Sequence, residues 1–119
     1  MYDCIWHKSL ILICLPLFFP VPGPPIIIYF PNVTYTSAVV VWNSPSEPNG
    51  IITGYKVSFR KQDQTTPDQE SELGPNVFEY MVNTLERETY YIFSVTAKTR
   101  LGWGETASVP VLTMINRGT

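Results

Sequence analysis

From Pro22 onward, apolar and polar positions alternate with a period of two, in short runs broken by turn residues. Turn signals recur about every eight to twelve residues, the patterning of half-buried strands packed on one core. The first strand is predicted over Ile26–Phe30, behind Gly23, Pro24 and Pro25. Those prolines cannot donate to a ladder and so mark a sheet edge. A second strand is predicted over Thr36–Trp42, where Ala38, Val40 and Trp42 share a face. The loop Asn43–Gly50 (NSPSEPNG) follows, and then Ile52–Arg60 alternates cleanly. Tyr55, Val57 and Phe59 point to the core there, while Lys56, Ser58 and Arg60 point to water. Lys61–Pro75 is polar and predicts an exposed connection around a poor edge strand. Further strands are expected over Asn76–Val82 and Glu88–Lys98, the second with Tyr91, Phe93, Val95 and Ala97 inward. A turn through Arg100–Gly104 leads to a last strand from about Thr106 to Thr113, with Pro110 at an edge or bulge. No amphipathic helix and no internal repeat is present. The fold class is all-β: an antiparallel β-sandwich of seven strands.

Composition narrows the function classes. A chain of 119 residues, 45% hydrophobic, holds one domain with a single core. Its proline density from Pro16 to Pro48 rules out a long helix there. A formal net charge of -2 argues against nucleic acid, whose phosphates require a clustered basic surface. Both cysteines, Cys4 and Cys14, precede the patterned region, so its chemistry excludes thiol nucleophiles and thiolate metal sites. Cysteine usage leaves the compartment open. The single histidine, His7, also lies at the start, so no triad and no His/Cys metal cluster can form in the domain. Asp63, Asp68, Glu70 and Glu72 fall in the polar connection and read as a solvated loop. The expectation is a non-enzyme with no cofactor, no metal and no small-molecule substrate.

The predicted organisation is a leader at 1–21, the sandwich at 22–115 and a tail at 116–119. Ser9–Phe19 is an apolar run behind Lys8, too short for the about 20 residues that span a bilayer but suited to a signal-peptide core. Asp3, Pro16 and the lack of a small-x-small cleavage site count against that reading. The alternative is non-native or fragment sequence, since Leu, Phe, Pro and Ser are encoded by pyrimidine-rich triplets and LPLFFP is built of them.

Over Pro22–Thr113 the chain resembles the fibronectin type III domain. The similarity lies in Pro22-Gly23-Pro24-Pro25, in Val40-x-Trp42 and in Pro48-Asn49-Gly50-Ile51-Ile52-Thr53-Gly54-Tyr55-x-Val57. It is most specific in Leu85, Thr89, Tyr91, Val95 and Ala97, closing with Gly102-x-Gly104-Glu105. The resemblance implies an immunoglobulin-like sandwich with three structural residues. Trp42 would fill the space between sheets packed about 10 Å apart. Tyr91, following Leu85, would form a tyrosine corner, its hydroxyl bonded to backbone just upstream. Arg87 departs from the family, which often has proline there.

Candidate sites are few. Asn32-Val33-Thr34 is an N-glycosylation sequon, expected in the turn between the first two strands. The loop Lys98–Gly104 (KTRLGWG) presents Arg100 and Trp103, residue types that dominate interface hot spots. The simpler reading has Trp103 lying over its own loop with Arg100 stacked on it. Lys56, Arg60, Tyr90, Ile92 and Lys98 are expected on one outward face, suited to protein contact or simply solvated. No Arg-Gly-Asp triplet occurs.

The domain is similar to those of sidekick-like adhesion molecules and receptor-type tyrosine phosphatases. That resemblance implies a non-catalytic adhesion or receptor ectodomain module, extracellular or secreted as part of a larger protein. Its partners would be proteins, homophilic or heterophilic, and neighbouring domains, with the membrane reached only through the parent. The alternative is an intracellular, load-bearing sarcomeric module of the titin type.

Overall fold

The alternating stripes close on each other as two antiparallel sheets. The computed structural model describes residues 2–6, 12–16 and 21–115. Strands β1 (Tyr2–Trp6) and β2 (Leu12–Pro16) pair antiparallel with each other, in register from Tyr2↔Pro16 to Trp6↔Leu12. The rest of the leader, and the tail at 116–119, lie outside the described residues.

One sheet has the order β3 (Ile26–Val33), β4 (Ala38–Asn43), β7 (Glu79–Val82). The other has the order β6 (Gln69–Leu73), β5 (Gly54–Lys61), β8 (Tyr90–Thr99), β9 (Gly102–Leu112). These seven strands are the all-β sandwich expected from the pattern, and no helix occurs among the described residues. The poor edge strand in the polar connection is β6.

Two strands are longer than the pattern predicts. β3 runs through Pro31 to Val33, because it is an edge and a proline there gives up no needed hydrogen bond. β9 starts at Gly102, since Thr99 pairs with Gly102 and the turn shrinks to Arg100 and Leu101.

Both inner faces meet in an aromatic core. Val40, Trp42, Tyr55, Phe93, Val95 and Ala97 are fully buried. Trp42 packs on Tyr55 with ring centroids 5.7 Å apart, and Phe93 stacks on Phe59 at 5.5 Å and meets Phe30 edge-on at 5.2 Å. The Trp42 indole N–H is buried without a hydrogen-bond partner. That omission costs about 1–3 kcal/mol. Burying the ring contributes about 4–6 kcal/mol, so Trp42 remains a net anchor.

At the crossover from β7 to β8 the buried Tyr91 Oη accepts the Glu86 N–H at 2.9 Å, with Leu85 buried beside the corner. Thr113 closes the same corner: its hydroxyl donates to Glu86 O at 2.6 Å and accepts from Thr89 N–H at 2.9 Å. Lys61 Nζ reaches the Glu86 carboxylate at 2.8 Å. Glu88 adopts the left-handed backbone region there, with a φ of 51°. Arg87, in place of the family's frequent proline, sets its guanidinium 5.7 Å from the Tyr35 ring.

Tyr91→Phe leaves the Glu86 N–H without its acceptor and is expected to destabilise by about 1–2 kcal/mol. Denaturant unfolding should show a lower midpoint with an unchanged slope. The hydrogen bond to Glu86 raises the Lys61 pKa above the ordinary lysine value. Its contribution is present below the unfolded lysine pKa and lost as pH rises through the raised folded value. Melting temperatures taken from about pH 9 to about pH 12 should therefore fall more in the native chain than in Glu86→Gln.

Candidate binding surface

The outward face of the four-stranded sheet is laid out by alternation. Lys56, Ser58 and Arg60 on β5 stand opposite Thr96, Ser94 and Ile92 on β8. Thr96, Ser94 and Ile92 in turn face Thr106, Ser108 and Pro110 on β9. The hydroxyls satisfy one another across the strands, Ser94 with Ser108 and Thr96 with Thr106, each pair at 2.8 Å.

Continued alternation would place Gly104 opposite Lys98. Instead Trp103 stands there, because a bulge in β9 lies between the Thr96 and Lys98 pairs. The extra residue reverses which side chains face outward. Pro22 explains where the irregularity falls. Its carbonyl accepts the Glu105 N–H at 3.0 Å, and a Cβ on Gly104 would run into Pro22 itself. Only glycine admits that approach.

Turned outward, Trp103 lies between two lysines. Lys56 Nζ is 4.7 Å from the indole centroid and Lys98 Nζ is 5.1 Å from it. The ring is half-buried and leaves a flat aromatic and basic surface. The cations are held there by the electron-rich ring face.

The structure divides the other expected binding residues among different places. Arg100 does not stack on Trp103. It sits in the two-residue turn, lining a cleft of about 330 Å³ with Asn49, Ile51 and Leu101. Ile51 is 85% exposed and Leu101 54%; Leu101 lies in the candidate loop Lys98–Gly104, while Ile51 sits in a turn that carries no periodic signal. Arg60 lies about 13 Å along β5 from Lys56. Its Nη1 donates to the carbonyls of Lys61, Gln62 and Gln64 at 3.3, 3.3 and 2.6 Å, so it holds the turn after β5. Tyr90 is exposed at that same end, opposite Leu112. Asn32 is exposed but lies within β3, opposite Val39, rather than in a turn. Among the described residues, no three His, Cys, Asp or Glu side chains come together.

A sequence model of the fibronectin type III domain matches residues 23–113. Protein sidekick-2 of Gallus gallus is 44% identical over 98 residues, which is 82% of this chain and 4% of that protein. Protein sidekick-1 of Homo sapiens is 41% identical over 97 residues, 81% of this chain and 4% of its own length. Neural cell adhesion molecule L1 of Takifugu rubripes is 33% identical over 86 residues, 71% of this chain and 7% of that protein. The chain thus spans a small fraction of the curated relatives it matches. Among solved structures, the FN5 domain of Drosophila Lar superposes with a TM-score of 0.63 at 26% identity, covering 81% of this chain and 100% of that one. Domains A168–A170 of titin superpose with a TM-score of 0.68 over 80% of this chain and 33% of theirs. At 23% identity, that likeness shows the fold alone.

Trp103→Ala removes the ring that both lysines face, and is expected to cost about 1–2 kcal/mol in denaturant unfolding. Lys98→Ala should cost about 0.5–1 kcal/mol. Arg100→Ala, outside this cluster, should stay within about 0.5 kcal/mol of the native chain.

Proposed function

The chain belongs to the fibronectin type III family, and on that premise we propose that it is a non-catalytic module of a cell-surface adhesion or receptor ectodomain. It contacts protein partners, homophilic or heterophilic, and spaces its neighbours along a longer extracellular chain. The observation that carries this reading is the similarity to sidekick and L1 domains over most of the folded unit. The titin likeness supports the fold only and does not favour a sarcomeric role.

The surface best suited to contact is the Lys56–Trp103–Lys98 cluster. Tryptophan and cationic side chains carry much of the energy of protein interfaces. Here both are pre-positioned on a rigid sheet, which lowers the ordering cost of binding. Lys56 and Lys98 favour a partner that presents carboxylates. No part of this role requires a cofactor, a nucleic acid or a small-molecule substrate, and the membrane is reached through the parent protein.

Antibody against the chain, applied to intact cells that express the full-length parent, is expected to label the cell surface. Labelling confined to permeabilised cells would overturn the ectodomain reading.

A further inference from the structure

The outward face of the three-stranded sheet is largely apolar, with Glu79 and Asn32 its polar members in the rows around Val39 and Val41. Val41 stands between Tyr29 and Glu79, and Val39 between Asn32 and Met81. Tyr29 is 49% exposed and Met81 62%. Val39 and Val41 between them are only half-buried.

Tyr29 and Asn32 differ by an odd number of positions and would ordinarily point to opposite faces. The register shift in β3 between the Tyr29↔Val41 and Asn32↔Val39 pairs changes that. It inserts one residue and brings both side chains to the same outward face, as neighbours along the strand. The sequon asparagine is therefore built into the apolar face and not beside it.

We propose that Asn32 carries an N-linked glycan whose first sugars lie across this face, with Tyr29 as their stacking partner. The proposal rests on the ectodomain reading, since such glycans are added in the secretory pathway. Attachment forms a bond from Asn32 Nδ2 to C1 of the first sugar and breaks that carbon's bond to a lipid-linked pyrophosphate donor. The lipid pyrophosphate leaves, and one amide proton is released. A pyranose ring is amphipathic: its C–H bonds present a positive edge suited to the negative face of the tyrosine ring. Its hydroxyls stay in water. Such a cover removes exposed apolar surface without offering a new apolar face to other chains. A second copy of this chain fits poorly, because a glycan on Asn32 would stand on the edge strand of the face and project into the contact.

The test uses the full chain secreted from mammalian cells behind an established secretion signal, so that entry into the pathway does not depend on residues 1–21. Four proteins are compared: native, Asn32→Gln, Tyr29→Ala and the double variant. Peptide-N-glycosidase should lower the mass of the native and Tyr29→Ala chains and leave both Asn32→Gln chains unchanged. The glycan should raise the melting temperature by about 3–6 °C when Tyr29 is present and by less than about 1 °C when it is alanine. Secretion without a glycan overturns the proposal, as does an equal rise with and without Tyr29. Failure of the ectodomain reading would be seen separately, in the surface labelling of the parent.

Discussion

The sandwich rests on one constraint: two sheets bury a single shared stripe of side chains, and a pleated strand must alternate. Once Val40, Trp42, Tyr55, Phe93 and Val95 are committed to the interior, the facing of each regular neighbour follows. Nothing short of an inserted residue can reverse it. The structure has such insertions in two edge strands, β3 and β9, where an irregular ladder disturbs one partner strand only. Each changes what the surface presents. In β9 the shift turns Trp103 outward between Lys56 and Lys98, and in β3 it brings Tyr29 and Asn32 to one face.

The ends of the sandwich are held by specific bonds where the stripes run out. Tyr91 and Thr113 bind the corner at Glu86, and Tyr80 Oη meets Ser71 Oγ at 2.8 Å, linking β7 to β6 across the sheets. At the opposite end Pro22 lies against Gly104, and Asn49 Nδ2 donates to Val21 O at 2.9 Å. The irregularity that exposes Trp103 is thus tied to where the chain enters the fold. A fault in that approach would disturb the surface as well as the edge.

The two outward faces differ in chemistry. On one, hydroxyl pairs and a lysine-flanked indole make a polar surface. On the other, Tyr29, Val39, Val41 and Met81 leave apolar area exposed. The sequon asparagine, Asn32, lies on that second face, opposite Val39.

Period-two patterning, the turn residues and the Leu85–Tyr91 spacing were legible in the sequence, because each depends on neighbours a few residues apart. They suffice for the sandwich, for most of its core and for the outward position of Lys56 and Lys98. The partners of particular side chains were not legible. Arg60 lies on the outward face as the alternation predicts, but its guanidinium also holds the turn after β5, and Arg100, a candidate contact residue, lines the cleft with Ile51 and Leu101. Asn32 was expected in a turn and lies in an edge strand. Those outcomes depend on register between strands far apart in the chain, and on bulges whose positions follow from close contacts such as Pro22 with Gly104. By itself, the sequence determined the alternation and hence the fold. Tertiary structure decided where alternation is broken, because only packing between distant strands determines which edge can absorb an extra residue.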